Sequence, residues 1–233
     1  MTTLSQPEKQ NDAAAGAQNL GEPGAAVQPP RRLIWLLVAV TTSLALITLL
    51  LSLRYAVSSG DLSKLLSHQA MLPFTTFVYG VLGALVVLQR PRNPIGWVFL
   101  LVGLFEGMSS VASGYSIFGA TLWGTKPCPG ADFAAWLNLW VWIPALFLPT
   151  TLVLLLFPDG QLPSRRWQPV VWMIGLGLVT IMISRALHPG PVESWGPELN
   201  PFGVSAGHDV LEAALNAGTA LLIAAMIASI AAL

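Results

Sequence analysis

Charge is scarce in this chain: only 9% of its 233 residues are Asp, Glu, Lys or Arg, against roughly 25% in a typical soluble domain. A soluble fold of this size needs a charged exterior that these residues cannot supply. Eleven basic and eleven acidic side chains cancel, so no basic field of the kind that draws nucleic acid exists. Cysteine is nearly absent. The single Cys128 excludes an intramolecular disulfide and any multi-thiolate metal site; it lies in the turn-forming run Lys126-Pro127-Cys128-Pro129-Gly130, where only pairing with another chain stays open. The three histidines, His68, His188 and His208, are never at i, i+4 spacing to one another, which leaves no expected metal site. Also missing are a glycine-rich phosphate loop, a Gly-x-Ser-x-Gly elbow, a His-Glu-x-x-His pair and a Cys-x-x-Cys pair. Nothing sets a nucleophile beside a base, so no catalytic residue and no cofactor is expected in these residues.

What is present is apolar length. Hydrophobic residues make up 54% of the chain and fall into six runs, at about 33–53, 70–88, 94–118, 132–157, 168–187 and 210–233. Runs of this kind are long enough to cross a bilayer, which needs about 20 residues of helix. The expectation is an all-α, polytopic transmembrane helical bundle. The first run holds 13 Leu, Ile or Val residues, worth about −4 to −8 kcal/mol on the insertion scale before its Ser and Thr are counted. It exceeds the 7–15 residues of a signal-peptide core and reads as a retained anchor. Residues 1–30, rich in Ala, Gly, Gln and Pro and lacking aromatics, read as a disordered cytosolic tail. The sequence stops at Leu233 inside an apolar run; the expectation is the front part of a longer protein.

Seven basic residues fall in alternate gaps, and the other four, Arg54, Lys64, Lys126 and Arg185, fall on the opposite side. Lys9, Arg31 and Arg32 precede the first span, Arg90 and Arg92 separate the second from the third, and Arg165 and Arg166 separate the fourth from the fifth. The 188–209 segment carries Glu193, Glu198 and Asp209 and no Lys or Arg. The positive-inside bias then places both termini and the two short arginine loops in the cytosol of a cell inner or plasma membrane. In the first of these loops Asn93 can cap the third span, with Pro94 at the first helical position and Trp97 at interfacial depth. In the second, Phe157-Pro158-Asp159-Gly160 has the composition of a type I turn.

A few residues stand out within the spans. Glu106 is an acid about halfway along the third span, where a charge costs on the order of 2.5–3.5 kcal/mol, so it should face the bundle. It is either a proton- or ligand-sensing carboxyl or a neutral acid bonded to a neighbouring helix, with Asn138 and Asn216 as candidate partners. Gly103 and Gly107 flank it at small-xxx-small spacing. Pro144 and Pro149 each remove a backbone donor from span four and mark either a hinge or a static kink. The Ala-rich sixth span suits tight packing, inside the bundle or across a dimer.

Two stretches together resemble a family. Arg90-Pro91-Arg92-Asn93-Pro94-Ile95-Gly96-Trp97, and then Leu155 to Trp167 with Phe157-Pro158-Asp159-Gly160 and Pro163-Ser164-Arg165-Arg166-Trp167, are similar to the multi-span N-terminal region of actinobacterial-type sensor histidine kinases of two-component systems. The Asn200-Pro201-Phe202-Gly203 turn is similar too, and Gln161 stands where a basic residue is usual. The resemblance spans roughly residues 33–233. It implies a sensory input domain whose longer parent is a protein histidine kinase, with a homodimerising phospho-acceptor helix, an ATP-binding domain and a response regulator as partner; ATP enters only with that downstream module. The alternatives are a small transporter or channel fragment with Glu106 on its pathway, and a structural membrane subunit.

Overall fold

The computed structural model describes residues 31–60, 68–123, 129–190 and 200–233; the tail expected over residues 1–30, Cys128, and the two glutamates of the 188–209 loop lie outside them. Among the described residues every regular element is helical: α1 (Arg31–Ser59), α2 (His68–Gln89), α3 (Pro94–Trp123), α4 (Ala131–Val141), α5 (Ile143–Leu148), a π-helical segment (Pro149–Val153), α6 (Leu154–Leu156), α7 (Gln168–Leu187) and α8 (His208–Ala231). Six continuous helical runs are long and apolar enough to cross a membrane, the fourth being Ala131–Leu156 with its internal breaks. The protein is a multi-pass, all-α membrane bundle.

Burial on α1 runs opposite to that of a soluble bundle helix. On α1 the buried positions are Ile34, Thr41, Ala45, Thr48, Ser52 and Ala56, while Leu36, Leu46, Leu49, Leu50 and Leu53 are exposed. Lipid tails are as apolar as leucine, so helix contacts favour small and hydroxyl side chains that let backbones approach. The buried hydroxyls of Thr41 and Thr48 donate to their own helix, at Val38 and Leu44 carbonyls, both at 3.0 Å. The first helix runs two turns beyond the 33–53 span read from the sequence: Arg54 lies inside it. An arginine near a span's end keeps its head in polar surroundings while its stem follows the helix.

Helices α1, α2 and α3 pack on one another, α7 pairs with α8, and the fourth span joins the two groups through contacts with α3 and α7. The 89–93 and 157–160 turns meet at one end of the bundle, where Gly160 lies against Asn93 and Pro94. The first turn of α1 shares that end, since Ile34 clusters with Val87 and Leu100. So does the last of α8, whose Ala228 and Ala232 join the cluster holding Leu162 and Trp167. We call this the arginine end. Trp35 and Trp172 stand exposed near it, as tryptophans do at a membrane–water interface.

Candidate functional site

Two features of the bundle bear on function: a polar layer around Glu106, and the arginine end with the broken helix that leads into it.

Glu106 sits about 18 Å along α3 from Pro94, half-buried on the bundle side. Its Oε1 lies 3.4 Å from the Thr75 hydroxyl of α2, which also donates to the Leu72 carbonyl at 2.9 Å. One turn further, Ser109 donates to Asn138 Oδ1 of α4 at 2.7 Å, and Ser110 donates to the Glu106 carbonyl at 2.7 Å. The layer therefore ties α3 to α2 on one side and to α4 on the other. Thr75 is beside Glu106, and the Asn138 Oδ1 accepts from Ser109. Asn216 is exposed on α8, off the buried line of Gly218, Leu222, Ala225 and Ser229, and α8 packs mainly on α7. Sequence reasoning missed Thr75, Ser109 and Ser110. The two serines were findable, because i+3 and i+4 from Glu106 share its helix face.

The two prolines of span four act differently. The span breaks at Trp142, and Pro144 follows within the first turn of α5, where a missing N–H leaves no helical bond unmade. Pro149 opens the π-helical segment, whose Thr151 is fully buried. A π turn inserts one extra residue per turn and shifts the register of everything after it. This segment touches α3, α7 and α8, so a change of its register would be felt by three other helices. Hydroxyls of Thr150 and Thr151 donate to carbonyls of the preceding turn, at Leu146 and Phe147, which offsets part of the lost backbone bonding.

At the arginine end the quoted motif residues are in place. Asn93 Oδ1 accepts from the Ile95 N–H at 2.9 Å, capping α3 with Pro94 in its first turn. Gly96 is buried against α2: a Cβ on it would lie 2.9 Å from the Val87 nitrogen. Trp97 Nε1 points to the Pro91 carbonyl at 3.5 Å. The 157–160 turn is not the type I turn expected: Phe157–Pro158 is cis, and the Gly160 N–H donates to Leu156 rather than to Phe157, at 2.7 Å. Gly160 is left-handed with φ 74°, and a side chain there would strike Asn93. That contact seats one turn on the other. Arg90, Arg92, Asp159, Arg165 and Arg166 are exposed and Trp167 is half-buried.

The opposite end is held by the Asn200 turn. Asn200 Nδ2 donates to the carbonyls of Ala186 (3.0 Å) and His188 (2.8 Å), and Phe202 N–H donates back to its Oδ1 (2.9 Å). His188 and His208 stack edge to face with ring centroids 5.0 Å apart, and His208 lies 3.7 Å from Glu212. Among the described residues no three His, Cys, Asp or Glu side chains gather as a metal site.

Compared with known protein families, curated proteins and solved structures, the chain matches none.

Proposed function

We propose that this chain is the membrane-embedded input domain of a two-component sensor histidine kinase, with the arginine end facing the cytosol. A cue changes helix packing, and the end of α8 relays the change to a kinase module in a longer parent, which dimerises and passes phosphate to a response regulator. The observation that carries this reading is the seating of the two resemblance motifs on each other: Gly160 of the second packs on Asn93 and Pro94 of the first. Further support comes from Pro149, since the π segment it opens lies between the motif end and α8. A relay needs an element with two packings that a cue binds unequally. The reading gives that role to the π insertion, which contacts three helices.

The test has two parts. The coding sequence beyond Leu233 should encode a helix with a phospho-acceptor histidine followed by an ATP-binding domain; a stop codon or an unrelated domain ends the proposal. In the full-length parent in nanodiscs, Pro149→Ala restores a backbone donor and favours regular α register. Basal autophosphorylation should then change by about fivefold or more, the lower end of allosteric couplings. An unchanged rate with intact folding would remove Pro149 from the relay.

A transporter or channel fragment is the second reading, and the Glu106–Thr75 contact at mid-span is the observation in its favour. It requires that Glu106→Gln abolish proton or solute flux in proteoliposomes. The input-domain reading expects no flux in either form.

A further inference from the structure

Where the two motif turns meet, a cleft of about 410 Å³ opens between the end of α2, the start of α3 and the π segment. This is within the range of about 300–1,000 Å³ that ligand pockets occupy. Its lining is mixed: Gln89, Arg90 and Asn93 are polar, while Val86, Phe99, Val153 and Phe157 among others are apolar. Arg90 is exposed. The Arg90 guanidinium has no carboxylate partner among the described residues. The surrounding end is strongly positive: Arg31, Arg32, Arg92, Arg165 and Arg166 join Arg90, and Asp159 is the acid of the same turns.

We infer that this cleft binds an anionic phospholipid, its phosphate on Arg90 and the start of its acyl chain against Val86, Phe99, Val153 and Phe157. A guanidinium matches a phosphate with two parallel N–H donors. A cleft that pairs a guanidinium with apolar side chains fits an amphiphile better than a free anion, which would leave those side chains wet. Asn93 Oδ1 is committed to the Ile95 N–H, so Asn93 offers the ligand only its amide donors, again suited to phosphate oxygen. Val153 is the last residue of the π segment. A lipid seated on it would favour one register of that segment over another, so the cue of the input domain would be anionic lipid itself. That consequence rests on the function proposed above; the binding does not.

The 233-residue chain in neutral detergent micelles, titrated with phosphatidylglycerol or phosphatidylcholine and read by native mass spectrometry, separates the two questions. The first phosphatidylglycerol should bind about fivefold or more tightly than the first phosphatidylcholine, the effect of one basic group facing an anionic head. Arg90→Gln should abolish that preference, Arg90→Lys should keep part of it, and Arg185→Gln at the other end should keep all of it. Phe157→Ala should weaken both lipids and leave their ratio unchanged. Arg90 and Phe157 are both exposed, Phe157 by 61%, so neither change disturbs the core, and near-UV circular dichroism verifies this. An unchanged lipid ratio in Arg90→Gln overturns the site. So does unaltered affinity in Phe157→Ala, or displacement of phosphatidylglycerol by inorganic phosphate, which would make the cleft an anion site without a tail. None of these results depends on a kinase module, so the lipid site and the input-domain reading fail separately.

Discussion

Gly83→Val is expected to destabilise the bundle by about 3 kcal/mol, the upper part of the range for overpacking a filled core. A Cβ on Gly83 would lie 2.6 Å from the Leu100 backbone nitrogen and 2.9 Å from the Gly96 carbonyl oxygen. Both are main-chain atoms of α3, which cannot swing aside as a side chain can. The helices must part instead, and the cluster of Ile34, Ala84, Val87 and Leu100 that closes the arginine end of α1, α2 and α3 opens with them. Gly175→Val on α7 is the matched control, since nothing lies within 4 Å of a Cβ there; a surface change of this kind stays within about 0.5 kcal/mol. Unfolding in mixed dodecyl sulfate micelles compares the two. Equal midpoints would show that the α2–α3 crossing tolerates separation, and that Gly96 is not there for close approach.

The helices were legible because their signal is one of length and composition, and a run of apolar residues cannot be hidden by tertiary context. The start of α3 was legible for the same reason at short range: Asn93 and Pro94 act on backbone groups within two residues. Partners across helices were not. Glu106 was rightly placed facing the bundle, but whether it meets Thr75, Asn138 or Asn216 depends on how far α2, α4 and α8 are rotated, and composition does not fix rotation. Asn216 could have been set aside, because it falls two residues from Gly218 and off the stripe that continues through Leu222, Ala225 and Ser229. The prolines of span four marked where the helix is interrupted and not how. Pro144 falls in a first turn and is accommodated there. Pro149 opens a π insertion, which touches α3, α7 and α8. The helix of α1 runs on past the 33–53 apolar span through Arg54, because an arginine side chain can leave the apolar layer while its backbone remains helical.

Asn200, whose turn the sequence marked but whose hydrogen bonds it could not show, carries the second large effect. Asn200→Ala should lower stability by about 2–4 kcal/mol, since each buried polar group left without a partner costs about 1–3 kcal/mol and some of these can rehydrate at the bundle's edge. The side chain is 8% exposed and makes three hydrogen bonds, two of them to carbonyls at the C-terminal end of α7, at Ala186 and His188. The last carbonyls of a helix have no partner within it, and here a residue that arrives through a loop supplies one. Trp136 of α4 donates to the same Ala186 carbonyl at 2.8 Å and stacks on Phe202, ring centroids 4.6 Å apart. The turn thus fastens α4, α7 and the approach to α8 at one point. Asn200→Asp should be no milder, because an acceptor would then face two acceptors. Hydrogen exchange locates the damage: the Gly203 and Val204 amides, bonded to Asn200 and Leu187 carbonyls at 3.1 and 2.9 Å, should lose protection while amides of the α2–α3 crossing keep theirs. If Asn200→Ala unfolds at the wild-type midpoint with those two amides still protected, the fastening lies in the Trp136–Phe202 contact and not in the asparagine.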